Sequence, residues 1–305
     1  MTTPQATVAG ELLPSVGGRL DIRLRARSIV HNPSALIGLV LTAAFLISGA
    51  TGLVLITVSS WHHLYLNQDL LAPLKPPLSG SHPLGTDELG RDLLWRIVAG
   101  TGISLAVALT VTAASLLVGG AVGLFAGYYG GRIDAFLSGI IDITWGFPII
   151  LLAIVLAGVF TPGLTVVVLG IALINWAGFA RIIRGEALSL RERDFVRAAQ
   201  AIGVPTHKIV LRHLVPNVVA PTLVMGSYYV AITIIAEAGL SFIGVGVQPP
   251  TPSLGQIISD GQNYWSVDIW LVVVPGIVLI LIVYGLNALG DGLRDLVDPR
   301  LRARG

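Results

Sequence analysis

The sequence contains no cysteine and few charged residues. Only 12% of its 305 residues are Asp, Glu, Lys or Arg, about half the share that is usual in soluble domains. The absence of cysteine excludes disulfides, thiolate metal sites and cysteine nucleophiles. The shortage of charge argues against a disordered chain, a nucleic-acid-binding module and an ordinary soluble enzyme.

Apolar residues and glycine are abundant instead. Hydrophobic residues make up 54% of the chain, 36 residues are glycine, and the mean hydropathy is +0.81. Small residues allow helix backbones to approach each other closely within lipid. The composition therefore predicts an all-α, polytopic membrane protein.

Six stretches are long and apolar enough to cross the membrane as helices, which takes about 20 residues each. They are Ala35–Val58, Ile103–Ala126, Leu137–Val159, Gly163–Ala180, Val218–Leu240 and Trp270–Leu289. The predicted organisation is a tail at 1–34, a membrane domain at 35–290 and a tail at 291–305. We name residues 59–102 the outer loop and residues 181–217 the inner loop; a second outer loop is predicted at 241–269.

Pro148, Pro221 and Pro275 lie within spans and are expected to mark kinks.

Basic residues predict the orientation of the spans. If both termini are cytoplasmic, all but three of the 19 lysines and arginines lie on the inner side. The exceptions are Lys75, Arg91 and Arg96. The positive-inside rule favours this orientation. We expect no cleaved signal peptide, because the basic N-terminal tail lacks a short apolar core followed by a small-residue cleavage site.

The inner loop has the pattern of two short amphipathic helices. Apolar residues recur at helical spacing on either side of Gly203, which suits a left-handed C-terminal cap. Pro205 then suits the start of a second helix. By pattern alone, this element either lies on the anionic inner leaflet or docks on a partner protein.

The outer loop ends in a segment that predicts a short helix at the outer mouth. The Asp87 side chain is placed to cap this helix. A metal site formed by His82, Asp87 and Asp92 is an alternative, although the spacing matches no strong ligand signature.

The sequence does not provide an ATPase or another catalytic motif. Lys75 and Lys208 are the only lysines, and neither lies in the glycine-rich sequence of a P-loop. We therefore expect a non-catalytic chain with no cofactor of its own, driven by a partner or by an ion gradient.

Asp142 and Glu237 lie within predicted spans, where an acidic side chain invites a functional interpretation. An ion-gradient-driven secondary transporter would use them as proton or sodium sites. In the interpretation that we favour, Asp142 pairs with a neighbouring polar or backbone group and Glu237 lies near the outer interface. Tyr228 either lines a translocation path or simply packs, and packing is preferred.

Two motifs resemble those of ATP-binding-cassette (ABC) importer permeases. The inner loop resembles their EAA loop through Ala198, Ala199, Gly203, Ile209 and Pro216, although Arg197 stands at the glutamate position and Pro205 replaces a cap serine. The outer loop resembles the GTD-x2-GRD signature of the peptide and nickel permeases through Gly85, Thr86, Asp87, Gly90, Arg91 and Asp92. Residues 237–255 and 289–301 agree with the same family, and the match is most like the C-type subunit of dipeptide and oligopeptide importers.

The resemblance implies a six-span type I importer permease in the cell membrane. Its expected partners are a homologous B-type permease, two ATPase subunits that bind ATP and magnesium, and an extracytoplasmic peptide-binding protein, with no nucleic acid. The inner loop would couple to the ATPases, and this chain would form half of the path. The alternatives are the secondary transporter, a nickel-chelate importer of the same family, and a scaffold or receptor without transport activity.

Overall fold

The computed structural model describes residues 33–297, and within this range the only regular elements are helices. The helices are α1 (Pro33–Thr57), α2 (His63–Leu66), α3 (Leu93–Tyr129), α4 (Gly131–Trp145), α5 (Ile149–Val159), α6 (Leu164–Arg191), α7 (Asp194–Ala201), α8 (Thr206–Ile209), α9 (Val215–Phe242), α10 (Leu254–Gly261) and α11 (Trp270–Val297). The arginines at 19, 23, 25, 27, 300, 302 and 304, on which part of the charge asymmetry rests, lie outside the described residues.

Five continuous helices are long and apolar enough to span a membrane. They are α1, α3, α6, α11 and the helix Thr206–Phe242, in which a π-helical turn at Val210–Leu214 joins α8 to α9. The bent pair α4 and α5 meets the same test when it is counted as one span. The structure therefore agrees with six apolar spans only if the third is broken.

The third span is not the continuous helix that was predicted for Leu137–Val159. Helices α4 and α5 meet at an angle of 80°, and residues 146–148 separate them. Pro148 has no N–H to continue the helical ladder, and a proline also disfavours helical geometry at the residue before it. The expected proline kink is thus a complete break.

Several helices extend beyond the predicted spans, and three of them by the largest margins. Helix α3 begins at Leu93 instead of Ile103, so the helix expected at the outer mouth is its first part. Helix α6 continues past Ala180 to Arg191, and the helix containing span five begins at Thr206 instead of Val218. An apolar window detects only the part of a helix that lies in lipid, whereas polar turns at its ends remain helical in water.

Helix α3 lies at the centre of the bundle and packs most extensively against α6. Gly119, Gly123 and Gly127 face α6 at intervals of four residues. A Cβ atom at Gly127 would lie 2.6 Å from the Cβ of Ala187, so the two backbones could not approach as closely with larger residues. This small-residue spacing is typical of tightly packed membrane helices.

Apolar clusters hold the remaining helices around α3. One joins α1, α3, α9, α10 and α11 through residues such as Phe45, Leu105 and Ile234. Another lies at the opposite end of the bundle and joins α3 and α6 to the inner loop. The inner loop is therefore anchored to the two helices that form the centre of the fold.

Candidate functional site

The inner loop folds into a bent element formed by α7, Gly203 and α8, which we name the knuckle (residues 194–209). Gly203 has a φ of +78°, as the cap prediction requires. The N–H of Val204 donates to the carbonyl of Ala199 over 3.0 Å and closes the turn. The second helix is not a separate short element as predicted, because α8 continues through the π-helical turn into α9. Pro216, which cannot donate a helical hydrogen bond, follows this turn.

One face of the knuckle holds it to the bundle. Val196, Ala199 and Ile209 are buried in a cluster that also contains Tyr128 of α3 and Leu190 of α6. Two of the family-like positions, Ala199 and Ile209, thus serve as anchors. A force applied to the knuckle would act directly on the ends of α3 and α6.

The opposite face of the knuckle is exposed instead of packed against the helical bundle. Arg197, Ala198 and Gly203 are exposed on this face, and Ile202 at the tip is 81% exposed. Pro216, which lies beyond the knuckle, is also exposed. Arg197 pairs with Glu192, and both side chains are largely exposed. This arginine lowers the pKa of the Glu192 carboxyl through a hydrogen bond and its charge. An exposed apolar side chain among charged ones is typical of surfaces that contact another protein.

The GTD-x2-GRD residues fold the outer loop onto the start of α3. Thr86 is buried, and its hydroxyl donates to the carbonyl of Ala72 over 2.7 Å. Gly85 and Gly90 have positive φ values. Asp87 accepts hydrogen bonds from Arg91 Nε over 2.6 Å and from the Arg91 N–H over 2.9 Å.

Asp87 does not cap the helix as predicted. Asp92 is the N-cap of α3 and accepts from the N–H groups of Leu94 and Trp95. Asp87 instead lies in a tight turn that faces Arg91 and Arg96, with its Oδ2 3.1 Å from Arg96 Nε. Its Oδ1 accepts from the N–H groups of Leu89 and Arg91, so Asp87 closes this turn instead of beginning α3.

The described residues of the outer loop do not bring His82, Asp87 and Asp92 together as one group of ligands. His82 Nδ1 lies 2.8 Å from Asp92 Oδ2, whereas Asp87 faces two guanidinium groups. Residues 33–297 contain no group of three histidine or acidic side chains able to hold a metal ion. Burial raises the pKa of nearby Glu88 and Asp260, so the outer face contains acidic groups that are costly to ionise.

Asp142 of the predicted third span is paired with Arg181, the first residue of the inner loop. Arg181 of α6 donates to Asp142 Oδ1 over 2.6 Å, and the two side chains are 48% and 64% exposed. The same helices are joined a second time, because Arg184 donates to both carboxylate oxygens of Asp134. Sequence reasoning missed these partners; the available signal was two arginines three residues apart on one helix.

Glu237 is buried in the packed bundle with no solvent exposure. Ser104 of α3 donates to one carboxylate oxygen over 2.8 Å, and Ser241 donates to the other over 2.9 Å. Tyr228 is about half exposed, while the adjacent Tyr229 is buried against Phe179 with ring centroids 4.4 Å apart. The three candidate path residues are thus not brought together: Asp142 and Tyr228 are accessible, and Glu237 is enclosed.

Comparison with known proteins places these features in a family. Residues 119–303 match the model of the binding-protein-dependent transport system inner membrane component. The dipeptide transport system permease protein DppC of Alkalihalophilus pseudofirmus is 36% identical over 277 residues, which cover 91% of this chain and 89% of the relative. The oligopeptide transport system permease protein OppC of Haemophilus influenzae is 36% identical over 279 residues, covering 90% and 88%.

A solved structure supports the fold. An inward-facing MetNI methionine ABC transporter chain aligns with a TM-score of 0.57 at 19% identity, covering 68% of this chain and 98% of that chain. At this identity the likeness supports the helical architecture alone. It agrees with the expected importer-permease fold.

Proposed function

The chain belongs to the family of binding-protein-dependent transport system inner membrane components, and we propose that it is a permease subunit of an ATP-driven importer of dipeptides or oligopeptides. It is a multi-pass protein of the cell membrane. The observation that carries the substrate class is that relatives named for dipeptide and for oligopeptide transport match about nine tenths of the chain.

The chain would form one half of the translocation path, with a homologous permease as the other half. Support comes from the broken third span, which is poorly covered by the rest of the chain. Helix α4 buries only Ile141, and helix α5 buries only Ala153. Large apolar residues such as Phe136, Ile143 and Ile150 remain exposed on this bent pair. Such a surface requires lipid or a second membrane protein.

The knuckle would couple this path to separate ATPase subunits. Its inner face is anchored to α3 and α6 through Ala199 and Ile209, while its outer face presents Arg197, Ala198, Ile202 and Gly203. An ATPase groove that closes on ATP would therefore move a rigid projection of the permease. ATP and magnesium would be held by those partner subunits, and this chain supplies no catalytic residue in the proposal.

Reconstitution of the whole complex tests this proposal. The chain is purified with its partner permease and ATPases, placed in proteoliposomes, and supplied with the binding protein and a radiolabelled dipeptide. We expect uptake that requires both ATP and the binding protein, and that stops with a hydrolysis-deficient ATPase. Uptake by vesicles that lack ATP and ATPase, driven by a proton or sodium gradient, would support the secondary transporter instead.

A nickel-chelate importer of the same family is distinguished in the same vesicles. We expect peptides to compete with the radiolabelled dipeptide and nickel–histidine chelates not to compete. ATP-dependent uptake of radioactive nickel that peptides cannot inhibit would change the substrate class and leave the importer mechanism intact.

A further inference from the structure

Two apolar grooves flank the end of α3. The first groove lies between α3 and α4 and has a volume of about 600 Å³. The second groove lies between α3 and the helix that begins with α8, and its volume is about 530 Å³. Ala121 and Phe125 line both grooves, so this stretch of α3 forms the ridge between them. The other apolar residues of the first groove are Val122, Ile133, Phe136 and Leu137.

The first groove crosses the predicted inner boundary of the membrane. The second span is predicted to end at Ala126 and the third to begin at Leu137, so the residues between them lie at the interface. Gly130 and Gly131 have φ values of +65° and +57°, which glycine adopts readily, and the chain turns there to place α4 beside α3. The groove therefore extends from the depth of acyl chains to the depth of lipid headgroups.

The mouth of the first groove is positively charged. Within residues 33–297, Arg132 is the one charged side chain that lines this groove, and it is exposed. The acidic residue nearest to it in sequence, Asp134, is already held by Arg184. No acidic side chain from this part of the chain lines either groove. An apolar groove with a basic mouth on the cytoplasmic side is complementary to the acyl chain and the phosphate of an anionic lipid.

The second groove combines apolar and polar lining at the same level. Tyr128, Tyr129, Thr206 and His207 belong to its lining, and tyrosine is enriched where a membrane meets water. Arg191 donates to the carbonyl of Tyr129 over 3.1 Å, which brings a second positive charge to the end of α3. Two adjoining apolar grooves with basic residues at their edge suit a lipid with two acyl chains.

We propose that the two grooves bind one anionic phospholipid of the inner leaflet. Its phosphate would accept hydrogen bonds from the Arg132 guanidinium, and its two acyl chains would lie on either side of Phe125. The side chains of Phe125 and Phe136 are 49% and 69% exposed in the single chain, and the acyl chains would cover them. The lipid would thereby join the ends of α3 and α4 to α8, at the base of the knuckle.

Photochemical labelling from the first groove tests the proposal in this cysteine-free chain. Phe136→Cys is modified with a benzophenone maleimide, and the complex with its partner permease and ATPases is placed in vesicles of phosphatidylglycerol and phosphatidylcholine with identical acyl chains. After illumination, mass spectrometry identifies the adducts of this chain. We expect phosphatidylglycerol adducts to be enriched about fivefold over the vesicle composition, the usual effect of one basic residue near anionic lipid.

Leu117→Cys is the matched control for the position of the label. Leu117 is 74% exposed on α3 and lines neither groove, so its adducts should reflect the vesicle composition. Arg132→Gln should reduce the enrichment at position 136 to the same level. Arg193→Gln removes an equal charge from an exposed position at the start of the knuckle and should leave the enrichment unchanged. Absence of enrichment at position 136, or enrichment that Arg132→Gln does not reduce, would overturn the proposal.

A protein occupant of the first groove would give a different product. Adducts that join position 136 to the partner permease would show that a second subunit covers the groove, and would also overturn the lipid site. Neither measurement involves peptide uptake, so failure of this proposal leaves the proposed function intact.

Filling the ridge provides a second variant with a separate readout. Ala121→Trp would place a large side chain where the two grooves meet, whereas Leu117→Trp adds the same side chain one turn away. Native mass spectrometry of the purified complexes measures the phosphatidylglycerol that each one retains. We expect Ala121→Trp to reduce the retained lipid at least fivefold and Leu117→Trp to leave it unchanged. Equal retention by the two variants would overturn the proposal.

Discussion

Ser104 and Glu237 are linked by a hydrogen bond of 2.8 Å between the serine hydroxyl and one carboxylate oxygen. The contact joins α3 to α9 in the interior of the bundle, where Glu237 has no solvent exposure. With Ser241 bound to the second oxygen, the acid is enclosed by donors. This arrangement favours a structural role over an ion-binding role in a secondary transporter.

Ser104→Ala should therefore destabilise the folded complex. One carboxylate oxygen would remain buried without its donor, at a cost of about 1–3 kcal/mol, and thermal unfolding of the purified complex should show a lower Tm. Ser259→Ala is the control, because its hydroxyl contacts a backbone carbonyl at an exposed position; its effect should stay within about 0.5 kcal/mol. A Glu237→Gln complex that keeps its Tm but loses ATP-driven uptake would contradict the structural role.

Gly203→Val should impair coupling to the ATPases. A β-branched residue resists the φ of +78° at this turn, and the strain of about 1–3 kcal/mol would change the shape of the knuckle. The measurements are the amount of ATPase that co-purifies and the rate of ATP-driven peptide uptake, both of which should fall.

Gly185→Val is the matched control for Gly203→Val, because a Cβ atom added at Gly185 or at Gly203 would meet no other atom within 4 Å. Gly185 lies inside α6 with ordinary helical geometry, so its variant should retain both properties. Normal ATPase content and normal uptake in Gly203→Val would refute the coupling role of the turn.

Single cysteines should report the orientation of the chain in intact cells. Ile202→Cys on the knuckle should resist a membrane-impermeant thiol reagent, because the positive-inside rule places this loop in the cytoplasm. Leu71→Cys in the outer loop should react rapidly, since the side chain of Leu71 is 97% exposed. The reverse labelling pattern would show that the predicted orientation of the chain in the membrane is wrong.

Asp87→Asn should destabilise the outer loop and the start of α3. The carboxylate is buried beside Arg91 and Arg96, and removal of one partner from a buried ion pair costs about 3–5 kcal/mol. The readout is the Tm of the purified complex. Glu192→Gln is the control, because it removes only an exposed ion pair with Arg197, and it should leave Tm unchanged. If the two changes lower Tm equally, Asp87 does not stabilise the outer loop and the start of α3 as proposed.

Local sequence was sufficient to predict several features of the fold. Runs of apolar residues located the spans, because burial in lipid depends on about 20 consecutive residues and on little else. Gly203 marked the turn of the knuckle, because a positive φ is a requirement of a single residue. The break at Pro148 was indicated by the chemistry of proline, but its angle of 80° was not.

The pairing of side chains distant in sequence depended on the packed arrangement of the helices. Asp87 and Asp92 are equally suitable caps by residue type, but in the structure Asp92 begins α3 while Asp87 faces Arg91 and Arg96. Asp142 meets Arg181 only because α4 lies against α6. Periodicity specifies which face of a helix is apolar, whereas the choice of the neighbouring helix depends on close packing across the whole bundle.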